Sequence, residues 1–130
     1  INQKGEVQAI GGVNQKIEGF FRTVQEKGLT GEQGVIIPRS NIQNLMLEEE
    51  VVEAVRKGKF HIYTVSTVDQ AMEILTGLPA GERKPDGTFE EGTLNYLVDE
   101  KLVKTVELLR SFEEKEGEKK EENISENKEE

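Results

Sequence analysis

The stretch Gly5-Glu6-Val7-Gln8-Ala9-Ile10-Gly11-Gly12-Val13-Asn14-Gln15-Lys16-Ile17-Glu18-Gly19-Phe20-Phe21 constrains the fold more than any other. Val7, Ala9 and Ile10 form a half-alternating apolar run of strand length. Gly11-Gly12 then punctuates the chain, because glycine alone turns this sharply without steric cost. Val13, Ile17, Phe20, Phe21 and Val24 recur at helical spacing. The pattern predicts a strand over 6–10, a diglycine turn, and a helix over 13–27 that stops at Lys27-Gly28. Lys16 falls in the first helical turns, where the macrodipole favours acidic residues and opposes a cation.

The pattern continues through residue 77. Leu29 to Gln33 reads as a polar loop. Val35-Ile36-Ile37, closed by Pro38, reads as a strand covered on both faces. Ser40 or Asn41 is positioned to cap a helix with the stripe Ile42, Leu45 and Met46. Glu48 to Lys57 reads as a second helical piece burying Val51, Val52 and Val55. Phe60 to Val65 alternates and is rich in β-formers. Phe60 and Ile62 face one way, and His61, Tyr63 and Val65 the other. Thr67 caps a helix over 68–76, with Val68, Ala71, Met72 and Leu75 on one face, ended by Gly77. Alternating strands and helices mark an α/β fold.

These residues also carry a family resemblance. Gly-Gly-Val-Asn-Gln-Lys-Ile-Glu (11–18), Gly34-Val35-Ile36-Ile37-Pro38 and Asn41 resemble the second half of the Lon protease proteolytic domain. That half has a strand ending in Gly-Gly, a spacer, a lysine, a helix, an apolar strand closed by proline, and an asparagine soon after. The resemblance covers roughly residues 1–77, and its wording is nearest to the LonB-like branch. It implies the C-terminal portion of a Lon-type α/β proteolytic domain, and that Lys16 is the lysine of a Ser–Lys dyad. A neutral lysine amine can take the proton of a serine hydroxyl, and burial and a helix N-terminus both favour the neutral form.

The family's nucleophilic serine belongs to a Gly-Asp-Ser-Ala type of motif upstream of this strand, and nothing in residues 1–130 resembles it. Ser40, Ser66, Ser111 and Ser125 do not stand in a nucleophile-elbow pattern. The expectation is therefore half of a catalytic domain, inactive alone, within an ATP-dependent endopeptidase of unfolded proteins. The resemblance further implies partners in the missing upstream half and an ATPase module. ATP and Mg would be held on that module, with no cofactor in this chain, and the whole would form a homo-hexameric ring in the cytoplasm. The alternative is a non-catalytic interaction or assembly domain on the same scaffold.

Composition narrows the remainder. Leu78 to Gly87 reads as a boundary loop with a turn at Asp86-Gly87. Gly92-Thr93 opens a last helix over 94–112, whose Leu94, Leu97, Val98, Leu102, Val106 and Leu109 require burial on the domain or a neighbour. Residues 113–130 hold nine Glu and four Lys, a net of −5 out of the total −9, and read as an acidic tail that is disordered or a frayed helical extension. The acidic balance argues against nucleic acid as a partner. No stretch approaches the ~20 apolar residues of a membrane span. Zero cysteines exclude disulfides and thiolate metal sites. The lone His61 has no evident catalytic partner and reads as structural, Asn41 reads as a helix cap that the family resemblance assigns to the fold's core wiring, and Glu18 as a partner for Asn14 or Arg22.

Overall fold

The computed structural model describes residues 1–126, with side chains through residue 112. The chain divides into two units, Ile1–Gly77 and Leu78–Glu130.

The first unit is α/β. Its elements are α1 (Val13–Lys27), β1 (Gly34–Pro38), a 3-10 helix (Arg39–Asn44), α2 (Glu49–Arg56), β2 (His61–Val65) and α3 (Val68–Thr76). β1 and β2 are parallel and paired in the register Val35 with Ile62 and Ile37 with Thr64. The 3-10 helix and α2 supply the crossover that parallel strands need.

The sequence places α1 at its observed limits. Gly12 sits in the left-handed region (φ 67°, ψ 31°) just before it, and the Gly28 N–H closes the last turn on the Gln25 carbonyl at 3.1 Å. Val13, Ile17, Phe21 and Val24 form its buried face. They join Ile37, Val51, Ala54 and Phe60 in one core, with Leu29, Val35, Leu45, Leu47 and Ile62 packed against it. Each fully buried side chain of this size contributes about 1.5–3 kcal/mol.

Thr67 caps α3, its hydroxyl accepting the Gln70 N–H at 3.3 Å, while the Gln70 side chain accepts the Ser66 N–H at 2.8 Å. Thr67→Ala is expected to cost about 1 kcal/mol, read as a lowered urea midpoint with an unchanged m-value.

Several expectations are corrected. Residues 6–10 are not a strand of the sheet. Glu6 makes one isolated antiparallel bridge to Thr67, and the Val7 N–H bonds the Ser66 carbonyl at 2.8 Å. Beyond Val7 no backbone ladder runs alongside, so the apolar run stays extended without becoming a strand. Neither Ser40 nor Asn41 caps a helix. The turn begins at Arg39, after Pro38. Ile42 and Met46 are exposed, because the turn is a 3-10 helix that ends at Asn44 and no α-helical stripe forms. In α2 the second buried position is Ala54, not Val55. Val65 is buried although it shares the parity of His61 and Tyr63.

The sheet is not covered on both faces within this unit. Val35, Ile37 and Ile62 share the core face, whereas Ile36 and Tyr63 border an open recess of about 230 Å³ that Ile74 and Leu75 also line. No residue of α3 is buried, and Leu75 is 69% exposed.

In the second unit, the Pro79 and Ala80 carbonyls accept the Leu94 and Asn95 N–H groups, each at 2.9 Å. The Thr93 hydroxyl accepts the Tyr96 N–H at 3.4 Å. The first turn of α4 (Leu94–Glu126) thus finds partners for the N–H groups that a helix start leaves open. Asp86-Gly87 forms the expected turn. The Thr88 N–H and hydroxyl both donate to the Asp86 carboxylate and hold its pKa below the usual range. Of the α4 stripe, Leu97, Val98, Leu102, Val106 and Leu109 are exposed in the single chain, which leaves a neighbour as the surface that would bury them. α4 continues past Phe112, and the end of the stretch read as a tail, 127–130, lies outside the described residues.

Candidate functional site

The site is the turn that joins the extended segment 6–10 to α1. Gly12 requires the freedom of glycine because its φ is positive. Gly11 has open space where a side chain would stand. Around them lies an open recess of about 320 Å³, lined by residues 9–15 together with Asn41 and Asn44.

Lys16 is the fourth residue of α1, and its backbone N–H donates to the Gly12 carbonyl at 3.1 Å. It therefore belongs to the first hydrogen-bonded turn after the glycines. Its side chain is exposed and stands outside the residues that line the recess. Among the described residues its ammonium forms no ion pair.

Polar side chains wire the turn to the rest of the unit. Asn41, 3% exposed, accepts the Ile10 N–H at 2.9 Å through Oδ1 and donates from Nδ2 to the Ile10 carbonyl at 3.0 Å. This completes the backbone pairing that a neighbouring strand would otherwise supply, and it agrees with reading Asn41 as core wiring. Asn14 accepts the Met46 N–H and donates to the Asn44 carbonyl, both at 2.9 Å.

Glu18 pairs with neither Asn14 nor Arg22. Its carboxylate accepts the Glu48 N–H at 3.1 Å, at the start of α2. Arg22 instead donates to the Glu48 carboxylate at 2.5 Å, which raises the already high pKa of the guanidinium. The pair is exposed, so its contribution to stability is small.

No serine lines the recess. The Ser111 hydroxyl donates to the Leu108 carbonyl within α4. His61 is held through Nε2 by the Gly31 carbonyl at 2.8 Å, in keeping with a structural role. Among the described residues no group of three or more His, Asp or Glu could hold a metal, and no helix is long and apolar enough to cross a membrane.

No family model matches the chain. Individual relatives do. A Lon protease homolog of Haemophilus influenzae is 45% identical over 102 residues, and one of Escherichia coli is 49% identical over 78. Over these stretches the chain is similar to Lon proteases. The archaeal Lon protease of Archaeoglobus fulgidus is 34% identical over 73 residues. These three matches cover 78%, 60% and 56% of this chain, but only 17%, 13% and 10% of the respective Lon relatives. The chain thus spans less than a fifth of the length of these relatives. Lys16 was singled out by its place after Gly11-Gly12 and by the family resemblance. Asn14 and Glu18 gave no comparable signal, since their partners at 44–48 are about thirty residues away.

Proposed function

We propose that this chain is the C-terminal part of the Ser–Lys proteolytic domain of an ATP-dependent endopeptidase that degrades unfolded proteins. The observation that carries the reading is the 45–49% identity to Lon protease homologs in a chain whose Gly-Gly turn sets a lysine in the first turn of a helix. A serine upstream of Ile1 attacks the peptide carbonyl. Lys16 takes the hydroxyl proton and passes it to the leaving amine, so that the acyl-enzyme forms as the amide bond breaks. This chain alone, without that serine, is inactive. ATP and Mg belong to an ATPase module outside these residues, and the assembled enzyme is a cytoplasmic homo-hexamer.

The test is hydrolysis of an unstructured peptide by the full-length protein that carries this sequence. Lys16→Met is expected to lower the rate by about 10²–10⁴-fold, the usual worth of a general base, with the unfolding midpoint unchanged. Hydrolysis that survives the substitution removes Lys16 from the reaction.

The exposed apolar residues of α3 and α4 favour the interaction-domain reading as the second. A full-length protein that folds and assembles but hydrolyses no peptide, with or without Lys16→Met, would support it.

A further inference from the structure

The backbone between Ile10 and Val13 has little packing to fix its direction. Ile10 is 40% exposed, Ala9 is exposed, and Gly11 has no atoms within 4 Å of where its Cβ would stand. Side-chain hydrogen bonds hold it instead. Asn41 grips the N–H and the carbonyl of Ile10, just before the glycines. Asn14, two residues after them, grips the Asn44 carbonyl and the Met46 N–H. Both amides use one donor and one acceptor, and Asn41 also donates to the Asn44 side chain at 3.4 Å. Either side of the diglycine turn is thereby tied to the same short segment, 41–46.

We infer that Asn14 and Asn41 form a two-sided clamp whose task is to aim Lys16, making both of them positioning residues for the reaction proposed above, on which this inference rests. A hinge of two glycines can rotate α1 against segment 6–10, and the clamp removes that rotation. The backbone that carries Lys16 is then held in one direction before substrate arrives. A misplacement of about 1 Å in such a group costs about 100-fold in rate.

The experiment compares Asn41→Asp, Asn14→Asp and Lys16→Met in the full-length protein, with kcat and KM for an unstructured peptide and the urea midpoint as readouts. Asp keeps the acceptor and loses the donor, so each Asn variant breaks one half of its clamp. A kcat lowered 10- to 100-fold in both, with KM within twofold of the parent, is the expected result. A merely structural role would lower the midpoint and leave kcat of the folded fraction unchanged, and that outcome overturns the inference. A change in KM alone also overturns it, assigning these residues to substrate binding. Should buried Asn41→Asp fail to fold, Asn14→Asp at the more accessible position decides. If Lys16→Met itself leaves kcat intact, the dyad reading has failed. If Lys16→Met abolishes activity while Asn14→Asp retains kcat, the clamp alone has failed.

Discussion

Phe60→Ala is expected to destabilise the first unit by about 3–5 kcal/mol, a large share of the ~5–15 kcal/mol that holds a typical domain folded. Phe60 is 0% exposed and stands just before β2, where the chain leaves α2 and enters the sheet. Its ring meets Phe21 edge-on, with centroids 5.2 Å apart and planes at 78°, and also approaches Phe20 at 6.2 Å. Such pairs add about 0.5–1.5 kcal/mol beyond the area they bury. Removing the ring therefore loses transfer energy, opens a cavity, and detaches α1 from the sheet at one point. Urea unfolding followed by circular dichroism should show a much lower midpoint. Phe60→Leu keeps most of the volume and should cost less. Phe20→Ala, at a 42% exposed position, should cost far less than Phe60→Ala. Equal costs for Phe20→Ala and Phe60→Ala would contradict the core described here.

The same contrast explains what was legible beforehand. Periodicity states that a helix has an apolar face, and for α1 that face and its limits came through because glycines punctuate both ends and the sheet lies within the same unit. For α3 the periodicity was equally clear, yet Leu75 is exposed, since an apolar face does not say what covers it. Segment 6–10 had the composition of a strand, but a strand is a relation between two chains of peptide groups. Here Ser66 and Thr67 serve its beginning and a single amide side chain serves Ile10. The candidate site divides the same way. Lys16 was proposed from its place after the glycines and from the family resemblance, whereas the residues that tie down its turn act across about thirty positions. An asparagine after proline resembles a cap until its partner is seen.

Gly34→Val should be the most damaging change at any glycine of the sheet. In the register of β1 with β2, Gly34 stands against His61, and the Gln33 carbonyl accepts the His61 N–H at 3.0 Å. A Cβ on Gly34 would lie 2.6 Å from the His61 carbonyl oxygen and 2.9 Å from its Cβ. Neither neighbour is the free end of a flexible side chain, so relief requires the two strands to part. His61 is also anchored through its ring to the Gly31 carbonyl, which limits how far it can yield. A cost of about 3 kcal/mol is expected, toward the upper end of ordinary overpacking. Parting the strands at this end also releases the loop that leads into β1, so amide exchange should rise at His61 and Ile62 before the rest of β2. Gly19→Ala supplies the control. Gly19 lies on the exposed face of α1 with nothing within 4 Å of its Cβ position, and alanine there should stabilise by about 0.5–1 kcal/mol. If Gly34→Val were tolerated as well as Gly19→Ala, the close approach of β1 to His61 could not be the arrangement in solution.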